Sequence, residues 1–207
     1  MTATWPRPLR DPAPLLARAL REWSEHHPEH GPHQGDFWLF GYGSLIWRPD
    51  FDYTERRMAR VRGWHRALKM WSRINRGTVE LPGLVFALLS GGSCQGVVYR
   101  IARKQAPATL TQLWQREMPT GVYDPRWMHC ETPHGPVQAL AFTLSRRSPN
   151  YTGNLSAQQY EHIFKNARGI YGSTQDYALQ TLESLRAHGI RDRALEALLK
   201  HAPRNTP

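Results

Sequence analysis

Between Phe37 and Phe51 the chain reads FWLFGYGSLIWRPDF, and no other stretch limits the fold so sharply. Its opening run of aromatic and aliphatic residues fits a buried strand. The run breaks at Gly41-Tyr42-Gly43-Ser44 before apolar character resumes with Leu45-Ile46-Trp47, so a strand feeds a tight loop. With no Cβ at Gly41 or Gly43, the backbone there is free to take φ > 0 and to approach a ligand closely. Its N–H groups can then converge on an anionic or carbonyl oxygen, with the Ser44 hydroxyl beside them. An ordinary turn between core strands accounts for the same glycines. Neither familiar phosphate loop fits, since the segment lacks the Lys of GxxxxGK[ST] and the spacing of GxGxxG.

A chain of 207 residues is long enough for one domain with a full core. No apolar run approaches the ~20 residues that span a bilayer, and the proline-broken N-terminus lacks the apolar stretch of a signal peptide. The expectation is a soluble, cytoplasmic protein without a membrane partner. Cys94 and Cys130 match neither a disulfide framework nor a zinc pattern and read as free thiols. The formal charge of +10 admits nucleic acid, anionic lipid or small anions as partners. Because the basic residues are scattered as singles and pairs such as Arg56-Arg57 and Arg146-Arg147, without a stripe, a helix-turn-helix signal or an RNP motif, nucleic acid is not expected.

Residues 1–36 form an extension rich in Pro and His, in which Pro14 to Ser24 has helical spacing and predicts one docked helix. The cluster His26-His27, His30 and His33 lacks zincin spacing and is broken by Pro28, Gly31 and Pro32, so no metal site is expected. Arg60 to Trp71 reads as a strand with a glycine break or bulge. Leu84 to Leu89 and Gln95 to Ile101 read as two strands joined by a Gly91-Gly92 turn, and Trp127 to Thr132 and Val137 to Leu144 as two more around His134-Gly135-Pro136. The tail turns helical: Ser156 with Gln159 makes a capping box, a second helix starts near Ser173, and a third runs from about Asp192 to His201. The domain is placed at 37–201, with 202–207 a disordered tail.

One carboxylate stands apart. Pro107 suits the first turn of a helix that Pro119 stops, and Leu110, Leu113, Trp114 and Glu117 recur on one face. Glu117 therefore lies on an apolar stripe, where desolvation raises its pKa and suits it to carry a proton near neutrality. A structural ion pair with Arg116 or Arg126 is the alternative. Glu80, Asp50, Asp52 and Glu131 are competing carboxylates without so clear a buried face. Arg76 has the planar fork that clamps a carboxylate, or is simply a surface arginine on a loop.

FGYGSLIW, followed by Arg76-Gly77-Thr78 with Pro82-Gly83 and by LWQREMPTGVY (Leu113 to Tyr123), resembles the ChaC-type γ-glutamylcyclotransferases. The match runs from about Phe37 to the helical tail near Leu199. It implies an α+β fold: a small mixed β-barrel flanked by helices, with an N-terminal helix and a helical C-terminal tail. It also implies cofactor-independent cleavage of glutathione to 5-oxoproline and Cys-Gly. Carried over residue by residue, it makes Glu117 the acid/base residue and Tyr42, Gly43, Ser44, Leu45, Arg76 and Tyr123 substrate-binding, with no metal. Asn75 stands where many members have His, and Ile170 and Tyr171 depart from the GPSG-like signature before Tyr177.

The expected reaction is intramolecular aminolysis, in which the α-amino group of the γ-glutamyl moiety attacks its own side-chain amide carbonyl. No nucleophilic residue is needed: neither cysteine has an adjacent His, and no GxSxG elbow occurs. A cyclotransferase for another γ-glutamyl amine or amino acid, and a non-catalytic binding module, remain as alternatives.

Overall fold

The computed structural model describes residues 10–26 and 35–202. Most of the histidine cluster (His27, His30 and His33) and all but Ala202 of the terminal tail lie outside the described residues.

The barrel is built from β1 (Phe37–Gly41), β2 (Glu55–Ser72), β3 (Gly83–Ile101), β4 (Asp124–Glu131) and β5 (Val137–Thr143). Its closed order is β1-β3-β2-β4-β5, antiparallel throughout except where β1 meets β5 in parallel at Leu39 and Leu140, so the barrel is mixed. β1 is buried along its whole length. Phe37 and Leu39 join one apolar cluster, Trp38 and Phe40 the other, as a strand's alternation demands when both faces are covered. This is why FWLF reads as an unbroken apolar run.

β2 and β3 form one long ribbon from Glu55–Arg100 to Ser72–Gly83, with register shifts between Arg62 and Trp64 and between Ala67 and Met70. Gly63, at φ 78°, makes the bulge expected from the sequence, and such bulges let a ribbon this long bend into a barrel. The expected Gly91-Gly92 turn is corrected. Both halves of β3 pair with the same partner, β2, so the two positive-φ glycines form an irregularity opposite Gly63 instead of reversing the chain. Sequence cannot separate these cases, because a turn and a bulge both select glycine for φ > 0.

The true reversal of the ribbon is the loop between Ser72 and Gly83. There the backbone passes over itself: a Cβ on Gly77 would sit 2.0 Å from the Gly83 amide nitrogen, and one on Gly83 would sit 2.0 Å from the Arg76 carbonyl oxygen. The spacing of Arg76-Gly77-Thr78 and Pro82-Gly83 is thus a packing requirement.

Helices cover the barrel on two sides. α1 (Ala13–His26) and α2 (Ala106–Glu117) share an apolar cluster through Ala19, Trp23, Leu110, Leu113 and Trp114. Arg10 ties the segment before α1 to Gly121 O at 2.8 Å and to Asp124 at 2.6 Å. Opposite lie α3 (Ala157–Asn166), α4 (Thr174–Ala187) and α5 (Arg193–Leu198), burying Ile163, Phe164, Leu182, Leu185 and Leu195 in the other cluster. Capping boxes start α3 at Ser156 with Gln159 and α4 at Ser173 with Asp176, which satisfies amides that the first turn leaves unpaired. Between them, β6 (Arg168–Gly169) and β7 (Gly172–Ser173) form a small hairpin laid against the loop after β2, with Ile170 N–H donating to Ile74 O and Tyr171 N–H to Asn75 O. Among the described residues no helix is long and apolar enough to cross a membrane, and both cysteines are buried and free.

Candidate active site

Three connections that leave the barrel, together with α2 and α4, enclose a cavity of about 650 Å³. The loop after β1 brings Ser44, the loop after β2 brings Arg76, the C-terminus of α2 brings Glu117, the following turn brings Tyr123, and α4 brings Tyr177. The volume falls within the roughly 300–1,000 Å³ typical of sites that enclose small ligands.

Glu117 ends α2 on the same face as Leu110, Leu113 and Trp114, and only 16 % of its side chain is exposed. Burial pushes its carboxyl above the ordinary value of 4.5, and the nearby guanidinium groups of Arg116 and Arg48 oppose that rise. The anticipated ion pair is present: Arg116 Nε lies 3.1 Å from Glu117 Oε1. Desolvation nevertheless outweighs the pairing, so both sequence readings of Glu117 describe one group.

Phenols surround this carboxyl. Tyr42, Tyr123 and Tyr177 are all raised by burial first and by the Glu117 charge among lesser causes, Tyr177 to about 12. They therefore remain neutral hydrogen-bonding groups at physiological pH. Tyr42 O–H donates to Phe142 O at 2.8 Å, and Tyr123 hydrogen-bonds to Tyr42. Tyr177 Oη accepts from the backbone N–H groups of Phe86, at 3.4 Å, and Ser44.

Of the sequence-selected residues, Ser44, Arg76, Glu117 and Tyr123 line the cavity. Tyr42, Gly43 and Leu45 lie behind that wall. Leu45 is buried in the apolar cluster beneath α2, and its carbonyl accepts from Tyr99 O–H at 2.8 Å. The expectation of φ > 0 in the glycine loop is corrected: Gly43 has φ −131°, and Gly41 is not among the positive-φ residues. What selects glycine is space, since a Cβ on Gly43 would lie 3.0 Å from the Tyr177 hydroxyl and one on Gly41 3.1 Å from Leu45 Cβ.

Arg76 is 6 % exposed, stacks over the Tyr177 ring at 4.9 Å and donates to Tyr171 O, so the surface-arginine reading does not hold. Sequence reasoning did not single out Arg48, Arg73, Asn150 or Trp47, all of which line the cavity. Apart from Trp47, which ends FGYGSLIW, no motif marks them, because they reach the cavity by the folding of three separate loops. Asn75, at the position where family members often carry His, also lines the cavity, and its buried side-chain oxygen has no hydrogen-bond partner. Among the described residues no cluster of three or more His, Cys, Asp or Glu is placed to hold a metal ion.

A family model described as "ChaC-like protein" matches residues 37–205. The chain belongs to the ChaC-like family. A relative from Escherichia coli (strain K12), a glutathione-specific γ-glutamylcyclotransferase, is 37% identical over 81% of this chain and 73% of its own length. Glutathione-specific γ-glutamylcyclotransferase 1 of Mus musculus is 31% identical over 94% of this chain and 86% of its own. Among solved structures, a γ-glutamyl cyclotransferase from yeast specific to glutathione superimposes with a TM-score of 0.73, covering 80% of this chain and 95% of that one. At 21% identity this last likeness speaks for the fold alone. The ChaC-like match begins at Phe37, the first residue of β1, and so takes in every residue of the cavity wall named above.

Proposed function

We propose that this chain is a glutathione-specific γ-glutamylcyclotransferase, with residues 37–201 as its catalytic domain and 1–36 as an extension. The observation that carries the reading is the Glu117 carboxyl, its pKa raised by burial, in a cavity whose wall also bears Arg48, Arg73, Arg76 and Arg116. Glutathione brings two carboxylates and one ammonium, so such a wall attracts it, and the names of the ChaC-like relatives support the same substrate.

In the reaction the α-amino nitrogen of the γ-glutamyl group forms a bond to its own side-chain carbonyl carbon, closing a five-membered lactam. The bond from that carbon to the cysteinyl nitrogen breaks. The attacking amine is largely protonated near neutrality, so a base must take a proton, and the leaving amine must receive one. Glu117 does both, returning to its starting state. Folding the γ-glutamyl chain back on itself is the entropic part of the barrier, which a close-fitting wall of Ser44, Tyr123 and Tyr177 lowers by holding that pose. The neutral phenol of Tyr123 and the Ser44 hydroxyl are the donors available to the developing oxyanion, for which one lost donor costs on the order of 3 kcal/mol.

The test is 5-oxoproline release by purified protein from glutathione and a panel of γ-glutamyl amines and γ-glutamyl amino acids. Turnover of glutathione above the panel is the expected result, and Glu117→Gln should abolish it while glutathione still binds. General acid–base catalysis typically contributes ~10²–10⁴-fold. Retention of more than about a tenth of the activity removes Glu117 from this role.

A further inference from the structure

The arginines of the cavity wall differ in what neutralises them. Arg48 Nε lies 2.9 Å from Asp50 Oδ2, and Arg116 lies 3.1 Å from both that oxygen and Glu117 Oε1. Arg76 and Arg73 form no ion pair with a carboxylate among the described residues, although Asp176 acts on Arg76 from beyond pairing distance. The cavity thus has two guanidinium groups without a counter-ion in contact, and the substrate proposed above has two carboxylates.

Their positions assign the carboxylates. Arg76 stacks on Tyr177, whose hydroxyl accepts from the Ser44 amide, so it belongs to the end where the γ-glutamyl group is held beside Glu117. Arg73 lies on the side of the cavity formed by Pro149 and Asn150. Its Nη1 donates to Asn150 Oδ1 at 2.6 Å, and Asn150 is fixed in turn because its carbonyl accepts from Trp71 N–H at 2.9 Å. A neutral amide therefore orients the guanidinium without cancelling its charge, and its remaining N–H groups are open to a two-pronged contact with a carboxylate.

We propose that Arg73, oriented by Asn150, binds the glycyl carboxylate of glutathione and so is the residue by which this site prefers glutathione to γ-glutamyl compounds that lack that charge. The inference rests on the cyclotransferase reading. Arg73 would be a binding residue remote from the reacting atoms, since the glycyl carboxylate departs with the Cys-Gly product and takes no part in ring closure. Its loss should therefore appear in KM more than in kcat.

The experiment compares glutathione with its glycyl C-terminal amide, in wild type, Arg73→Gln and Arg73→Lys, with 5-oxoproline as the readout and circular dichroism as the check on folding. Wild type should bind the acid about 10- to 100-fold more tightly than the amide, as charge-assisted hydrogen bonds warrant. Arg73→Gln should raise KM for glutathione by about that factor, with kcat within about threefold and the amide unaffected, and Arg73→Lys should fall between. Equal loss on acid and amide, or no change on either, overturns the proposal. So does a wild type that fails to distinguish the two compounds, a result that needs no variant to fold. If wild type releases no 5-oxoproline from either compound, the cyclotransferase reading falls by itself. Equilibrium titration of both compounds then decides the Arg73 contact on the same criterion, and absence of binding overturns it too.

Discussion

Arg116 and Glu117 are adjacent in sequence and ion-paired in space, with Nε 3.1 Å from Oε1. The same guanidinium donates from Nη1 to Arg48 O at 2.7 Å and to Asp50 Oδ2 at 3.1 Å, and from Nη2 to Ser44 Oγ at 3.2 Å. One side chain therefore fixes the loop after β1 and favours the ionised form of the carboxyl beside it.

This arrangement sets the acid side of the pH–activity profile. Arg116 and Arg48 favour the carboxylate, while burial and the neutral phenols of Tyr42, Tyr123 and Tyr177 give it little compensating charge. Removing the Arg116 charge disfavours the ionised form, so the Glu117 pKa rises further. Arg116→Gln is expected to move the acid limb of kcat/KM to higher pH. Arg116→Lys keeps the charge and should leave the limb near its wild-type position, although it loses the forked contacts to the loop. A limb that moves equally in both variants would make the effect one of loop geometry alone.

Stability should respond to Glu117 with a definite sign. Its folded-state pKa lies above the ordinary 4.5, so the folded protein keeps this proton after the unfolded chain has released it. Stability accordingly falls as pH rises from about 4.5 through the folded pKa, and then levels off. Gln at 117 cannot ionise. The difference in melting temperature, Glu117→Gln minus wild type, is expected to grow more positive between pH 4 and pH 7, as read by thermal melts at closely spaced pH. A difference that declines over that interval would contradict the raised pKa.

Gly43→Ala is expected to weaken glutathione binding more than Ser44→Ala. The new methyl would sit 3.0 Å from the Tyr177 hydroxyl and 3.6 Å from Phe86 Cβ, displacing the phenol that bonds the Phe86 and Ser44 amides. Ser44→Ala deletes one hydroxyl that accepts from Arg116, whose guanidinium keeps its contacts to Arg48 O, Asp50 and Glu117, so the loop is held without it. Titrating both variants with glutathione, with circular dichroism to verify the fold, gives the order directly. The reverse order would make the Ser44 hydroxyl the principal ligand of the loop.

Two ion pairs between named arginines and acids should differ sharply in worth. Arg66 and Asp192 meet at 2.6 Å with side chains only 4% and 15% exposed, and Arg66 also donates to Tyr42 O at 3.0 Å. Arg62 and Glu131 meet at 2.7 Å but are 71% and 42% exposed. Asp192→Ala leaves a buried guanidinium unpaired and removes the N-cap of α5, so a loss of about 3–5 kcal/mol is expected. Glu131→Ala should leave stability almost unchanged, because solvent screens so exposed a pair. Urea denaturation of both variants measures the contrast, and similar midpoints would refute it.

Local pattern determined much of this protein. The apolar run of β1, the capping boxes at Ser156 and Ser173, the stripe that puts Glu117 with Leu110, Leu113 and Trp114, and the bulge at Gly63 all follow from periodicity and side-chain chemistry within a few residues. Each is a short-range preference, and short-range preferences are written in sequence order. What needed the tertiary structure was every decision between partners distant along the chain. Whether Gly91 and Gly92 reverse the chain or bulge within it depends on which strand faces each half of β3. Whether Gly43 is there for handedness or for space depends on Tyr177, more than a hundred residues away. Which arginines have counter-ions depends on three loops closing over one cavity, where Asp50 reaches Arg48 and Arg116 but no carboxylate among the described residues meets Arg73. A carboxylate's charge acts through distance in space, and sequence separation does not encode that distance until the barrel has closed.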